Sequence, residues 1–144
     1  DFKRFPKVPG PGINPEIGIA VDVTFATDCP SMDKRLHPDV KLGNGPTILR
    51  GANANRKLAD RLVAQAVEYK IPYQIEVYGG GTGTDANAMQ VNRAGMITGL
   101  VGIPLRYMHT PCEIVSLADA DNAAELMART AASVKPGESW IPGN

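Results

Sequence analysis

Three short stretches put an ionisable side chain where an apolar run stops or turns. They are Ala20-Val21-Asp22-Val23-Thr24, Gly83-Thr84-Asp85-Ala86, and Arg106-Tyr107-Met108-His109-Thr110-Pro111-Cys112-Glu113. In an α/β fold, chemistry gathers at the ends of strands. Asp22 lies inside an apolar strand pattern, and a carboxylate there has to be paired, hydrogen-bonded or metal-bound. Two readings stay open for it: a metal ligand, or a structural aspartate at a strand end that accepts backbone N–H groups. His109 is one of only two histidines. A neutral imidazole is a common ligand for zinc and other transition metals, although a single histidine is more often a packing or surface residue. Glu113, four residues on, is placed either to accept from the imidazole and orient it or to sit in solvent. Together these residue types suggest metal-dependent hydrolysis.

The segment Gly79-Gly80-Gly81-Thr82-Gly83-Thr84-Asp85 joins an expected strand to an expected helix. Its glycines let the backbone turn tightly and approach a ligand, and N–H groups at a helix start favour an anionic group. Asp85 is also a plain candidate for the helix N-cap. No Gly-Lys-Ser/Thr follows, so this is not a phosphate loop, and dinucleotide-binding spacing is absent. His37 sits in a polar loop with Asp28, Asp33, Lys34 and Arg35, and no serine occupies a nucleophile elbow. Cys29 and Cys112, far apart, form neither a disulfide framework nor a Cys-x-x-Cys pattern and read as two reduced thiols.

These residues need a frame, and 144 residues suffice for one domain with a core. Residues 1–14 carry Pro6, Pro9 and Pro11 and read as an extended arm or linker. Ile17–Phe25 is nearly continuously apolar and β-branched, which predicts a strand buried on both faces. Residues 26–46 form a long loop, and Thr47–Arg50 a short strand. Asn53 caps an expected helix to about Tyr69, with Leu58, Leu62 and Ala66 on one face. Tyr73–Tyr78 alternates as a strand, 85–94 reads as a helix ended by Gly95, and Met96–Ile103 as a buried strand. A short strand 113–116 and a helix 118–133 follow, with Trp140 in the tail a candidate to dock. Alternating strands and helices predict an α/β domain, a mixed sheet covered by helices over residues 15–144. Lys+Arg and Asp+Glu both number 15, so no basic surplus argues for nucleic acid or an anionic membrane. No apolar run approaches a membrane span.

Joined in order, several segments resemble the C-terminal half of the catalytic domain of the tetrahedral (TET) aminopeptidases. That family is also called glutamyl aminopeptidase, deblocking aminopeptidase or cellulase M. The segments are Ile19–Thr24 with Ala26-Thr27-Asp28, then Lys41-Leu42-Gly43-Asn44-Gly45-Pro46, Ile71-Pro72-Tyr73-Gln74, Gly81–Ala86, and Pro104–Thr110. The resemblance runs from about residue 15 to residue 133. It implies a three-layer α/β/α, zinc-peptidase-like sandwich, here incomplete. It further implies a cytoplasmic, dinuclear metallo-aminopeptidase that trims N-terminal residues from peptides and assembles as a dodecamer. Carried over by motif, Asp22 is a carboxylate ligand of one metal and His109 an imidazole ligand of the other. Gly81, Thr82, Gly83, Thr84 and Asp85 line the substrate side, and Arg106 and Glu113 stand behind the ligands. Two divalent ions, zinc or cobalt, share a hydroxide and polarise the scissile carbonyl.

The departures from the family pattern carry their own expectations. A further metal-binding His with a catalytic Asp two residues on, a bridging Asp, and a Glu-Glu pair with the general base all belong to the family's N-terminal half. They have no counterpart in this sequence. The expectation is a fragment with two metal ligands and no general base, inactive and with little or no bound metal on its own, whose sheet has an exposed edge or face suited to self-association or strand pairing. A non-catalytic assembly subunit or half-site module is the alternative. A glycoside hydrolase ranks below both, because sugar clefts are commonly aromatic-lined and aromatics make up only 6% of the chain.

Overall fold

The computed structural model describes residues 15–30, 32–33, 37–91 and 95–141. The arm at 1–14 and parts of the 26–46 loop and of the expected 85–94 helix lie outside them. Among the described residues the chain forms β1 (Ile17–Phe25), β2 (Thr47–Gly51), α1 (Arg56–Glu68), β3 (Gln74–Tyr78), α2 (Asp85–Gln90), β4 (Ile97–Arg106), β5 (Ile114–Val115) and α3 (Leu117–Ser133).

The strands make one mixed sheet in the order β1-β4-β2-β3, with β5 added to the end of β4. β1 runs parallel to β4 from Ile17↔Ile97 to Phe25↔Leu105. β2 and β3 are parallel to each other, and β2 is antiparallel to β4. Side chains alternate across each strand, so the sheet has two faces to cover. On one face α1 and α3 close over Ile48, Leu62, Ala66, Val101 and Leu126. On the other, α2 packs Ala86 and Met89 on Ala20, Leu49 and Leu100. The predicted α/β/α layering is what forms.

Several local expectations need correction. β1 is an edge strand among the described residues, not one buried on both faces: Val21 is 48% and Phe25 49% exposed. Its apolar, β-branched run is suited to burial that the described residues do not supply. The α1 cap is Asn55, whose side chain accepts from the Leu58 N–H at 3.1 Å, while Asn53 is buried elsewhere. Thr84 holds the N-cap position of α2, and Asp85 is its first helical residue, where a carboxylate complements the helix dipole. β4 continues through Pro104 to Arg106. Proline lacks a ladder donor, but Pro104 falls between the β2 pairing, which reaches Gly102, and the β5 pairing, which starts at Leu105.

The tail docks. Trp140 is buried, the Arg61 guanidinium lies 5.3 Å from its ring centroid, and Asn55 Nδ2 donates to its carbonyl at 3.0 Å. Among the described residues, no helix is long and apolar enough to cross a membrane. Neither cysteine forms a disulfide; Cys29 is buried and Cys112 exposed.

Candidate active site

Because β1 and β4 are parallel neighbours, the loops that leave Phe25 and Arg106 emerge at the same end of the sheet. Carboxyl ends of strands in α/β sheets are where ligands gather. This pairing brings the Asp22 strand and the His109 loop together, although 86 residues separate them in sequence. The link is visible at their rims: the His109 ring meets the Phe25 ring edge-on, with centroids 6.4 Å apart and planes at 88°.

Asp22 lies on the α2 face of β1 and is exposed, because β1 is an edge. Its Oδ1 accepts from the Val23 N–H at 2.8 Å. The expectation that burial forces a partner on this carboxylate therefore does not hold in this chain. His109 is also exposed and sits at φ 65°, in the left-handed region, as does Tyr107 at φ 59°. Non-glycine residues there need support from their surroundings. Thr110 N–H donates to the Tyr107 carbonyl at 3.1 Å, and Glu113 Oε1 accepts from the His109 N–H at 2.6 Å. Glu113 thus holds the backbone of the loop; its bond is to the peptide N–H and not to the imidazole ring.

Arg106 anchors the start of that loop. Its Nε and Nη2 donate to Asp28 Oδ1 and Oδ2 at 2.8 and 2.6 Å, a two-pronged charge-assisted pair. Leu42 N–H adds a third bond to Asp28 at 3.1 Å. The Arg106 guanidinium holds the Asp28 carboxyl below the usual carboxylate range, and Asp28 in turn raises Arg106. Further along, Asp119 in the first turn of α3 accepts from Gly43 and Gly45 N–H at 2.7 and 2.8 Å. Gly45 has φ 91°, and a Cβ there would run into the Pro72 carbonyl. The Lys41–Pro46 segment is thereby fixed between the Arg106 pair and α3.

The glycine-rich segment is held by Asn53, the residue expected to cap α1. Asn53, 2% exposed, accepts from Thr82 N–H at 3.2 Å and donates to Asn87 Oδ1 at 2.7 Å. The Thr82 and Thr84 hydroxyls are 2.8 Å apart. Thr82, Gly83 and Thr84 line a cleft of about 200 Å³ with Asp22, Thr24, Leu49, Glu76, Tyr78 and Leu100. Of the five residues expected on the substrate side, these three reach the cleft; Gly81 and Asp85 do not line it.

Glu76, Thr24 and Thr47 were not anticipated. Thr24 and Thr47 hydroxyls donate to Glu76 Oε1 and Oε2 at 2.8 and 2.9 Å, over Gly102. A Cβ on Gly102 would collide with Thr47 Oγ1. The available signal was the period-2 pattern of β3, which sets Gln74, Glu76 and Tyr78 on one face and Ile75 and Val77 on the other. Here the polar face is the busier one: Gln74 and Glu76 are half-buried, while Val77 is 64% exposed.

The donor types of Asp22 and His109, an oxygen and an imidazole nitrogen, suit a transition metal. They do not close a site. Among the described residues, no three His, Cys, Asp or Glu side chains are arranged to hold an ion.

Comparison with known proteins adds an independent line. The family model for M42 glutamyl aminopeptidase matches residues 7–126. A lysyl aminopeptidase of Pyrococcus furiosus is 43% identical over 124 residues, covering 86% of this chain and 35% of that protein. The solved aminopeptidase APDkam598 of the archaeon Desulfurococcus kamchatkensis superposes with a TM-score of 0.77 at 36% identity, over 89% of this chain and 36% of its own. The TET1 peptidase of Pyrococcus horikoshii, which can assemble into a tetrahedron or a large octahedral shell, matches at TM-score 0.59 and 32% identity, over 78% of this chain and 32% of its own. The chain spans about a third of the length of the relatives it matches.

Proposed function

This chain belongs to the M42 glutamyl aminopeptidase family, and from that membership we propose that it forms one wall of a metal-dependent aminopeptidase site that removes N-terminal residues from peptides. The observation that supports the reading is the parallel β1/β4 pair, which brings the strand of Asp22, a residue that lines the cleft, and the loop of His109 to the same end of the sheet. In this reading Asp22 supplies a carboxylate to one of two divalent ions, and His109 an imidazole to the other. Thr82–Thr84 face the substrate. Arg106, through Asp28, and Glu113, through the His109 N–H, hold the loop that aims the imidazole. Zinc or cobalt matches these donors, and the ions supply an activated hydroxide and a polarised carbonyl.

Asp22 and His109 alone make half a site, so the remaining ligands and the general base come from residues other than those described. The isolated chain is therefore inactive and binds metal weakly. In this reading the complete protein is a cytoplasmic peptidase and an oligomer, the oligomer being in keeping with the shell assembly of the TET1 neighbour.

A chimera tests this. The chain replaces the matching third of the Pyrococcus furiosus lysyl aminopeptidase, and hydrolysis of aminoacyl p-nitroanilides is followed with and without chelator. We expect metal-dependent turnover that Asp22→Ala or His109→Ala reduces by about a thousandfold or more. A folded, metal-supplemented chimera with no turnover would sink the reading. Turnover by the 144-residue chain alone would sink the half-site part of it.

A further inference from the structure

The loop from β3 to α2 has little of its own to hold it. Residues 79–84 include four glycines, which widen the backbone's choice of conformations and raise the cost of fixing one. Within it the Thr82 and Thr84 hydroxyls meet, and Asn87 N–H donates to the Thr84 carbonyl at 3.1 Å. Among the described residues, the hydrogen bond that ties this loop to an element other than α2 runs from Thr82 N–H to Asn53 Oδ1. The Nδ2 of the same side chain donates to Asn87 on α2. One buried asparagine in the turn between β2 and α1 therefore sets the loop that borders the cleft.

Asn55, two residues on, faces a different partner. Its N–H donates to the Thr98 carbonyl on β4 at 2.7 Å. Its side chain caps α1 through Oδ1 and donates from Nδ2 to the Trp140 carbonyl at 3.0 Å. The tail makes further ties to the first turns of α1. Lys57 Nζ donates to the Ser139 carbonyl at 3.1 Å, Arg61 pairs with Glu138, and the Arg61 guanidinium lies over the buried Trp140 ring. Two planar peptide units separate Asn53 from Asn55, which leaves few soft torsions to absorb a movement of either. The match to the family model ends at residue 126, so this docking lies outside the part of the chain that the model matches.

We propose that Asn53 is a positioning residue of the substrate site and that the docked tail sets it. Residues 138–140 hold the start of α1, the turn before α1 carries Asn53, and Asn53 holds residues 82–84 along the cleft. The proposal rests on the aminopeptidase reading for what the loop faces; the link from tail to loop does not.

The test has two arms. The first uses the ¹⁵N-labelled 144-residue chain and follows hydrogen exchange at the Thr82 amide, with the amides of β4 as reference. Asn53→Ala should quicken Thr82 about fivefold, the loss of one hydrogen bond. Asn55→Ser keeps an oxygen for the helix cap and removes the donor to Trp140. It should quicken Thr82 about threefold and the β4 amides less. Trp140→Ala should quicken Thr82 by at least as much, and Trp140→Phe, which keeps an aromatic face for Arg61, should retain most of the protection. Asn55→Ser supplies the result even where Trp140→Ala does not fold. The second arm uses the chimera described above, carrying the chain through Ile141. There Asn55→Ser should raise KM about threefold and leave kcat and metal content as they were.

Quickening of Thr82 in Asn53→Ala alone overturns the proposal, since the turn would then be held by Thr98 without help from the tail. Equal quickening of Thr82 and β4 also overturns it and makes the tail a general stabiliser. Faster exchange at Thr82 with an unchanged KM overturns the positioning role and leaves the aminopeptidase reading standing. A folded, metal-supplemented chimera without turnover sinks that reading and the substrate role of the loop with it, while the exchange series still decides the link from tail to loop.

Discussion

The centre and the edge of the same sheet are built on different terms. Under α1 and α3 the sheet is closed: Ile48, Leu62, Val101 and Leu126 show no exposed surface, and each lies against apolar side chains from another element. On the edge strand β1, Val21, Val23 and Phe25 point apolar surface at solvent, while Asp22 and His109 lie nearby and exposed. The closed region satisfies itself. The open region presents apolar surface and polar donors together, which is how an interface looks before its other side arrives. Among the described residues, the closed packing and the candidate site residues therefore fall on different parts of one sheet, and the Arg106–Asp28 pair and Asp119 stand at the boundary.

The largest test of that division lies in the closed region. Leu126→Ala removes a fully buried side chain between α3 and the sheet and should cost about 2–5 kcal/mol, read as a shift in the urea midpoint. A smaller loss would mean that the α1/α3 layer is looser than its burial implies. Next comes the boundary. Asp119→Ala strips the acceptor from the Gly43 and Gly45 N–H groups and should cost about 2–3 kcal/mol. Hydrogen exchange should quicken at those two amides before it does in α1. Uniform quickening would say that the loop and core unfold as one unit.

Much of this arrangement is legible in the sequence. The helical spacing of Leu58, Leu62 and Ala66 gave α1, and the apolar runs gave β1 and β4. The order of motifs gave the family. What the sequence could not give is where each strand sits. The β-branched run of β1 reads the same whether its second neighbour is present or not, so its edge position, and with it the exposure of Asp22, was invisible. Asn53 and Asn55 are both credible caps two residues apart, and only the backbone geometry decides between them. Glu76 was hidden for a related reason. A glutamate that alternates with Ile75 and Val77 suggests solvent, and its use depends on Thr24 and Thr47, which reach it from β1 and β2 across a glycine. Glu113 was close to right: its partner is His109, but through the peptide N–H.

A pH series sharpens the boundary further. The Arg106 guanidinium depresses the folded-state pKa of Asp28, and a carboxyl that is more acidic when folded stabilises the fold above its unfolded value. That contribution is lost as pH falls through the folded value. Stability should therefore decline on acidification below about pH 4, and Asp28→Asn should flatten that part of the profile. At neutral pH the substitution should cost about 1 kcal/mol. The difference between the two urea-midpoint profiles isolates Asp28 from the other carboxylates. Parallel profiles would mean that the pair closes no tighter in the folded chain than in the unfolded one.

The smallest expected effect is the most diagnostic for the open region. Val23 is 40% exposed at the sheet edge, so Val23→Ala removes methyl groups that already meet water and should cost less than about 1 kcal/mol. That value applies to a chain whose edge is bare. If copies of the chain pair along β1, the same valine is buried in the assembly, and its loss should grow with protein concentration. Urea midpoints at several concentrations, with sedimentation of the same samples, separate the two cases. A small, concentration-independent cost keeps the open edge as a free surface, whereas a cost that approaches that of Leu126→Ala and rises with concentration would show that the edge closes on itself and that the contrast between the two regions ends on association.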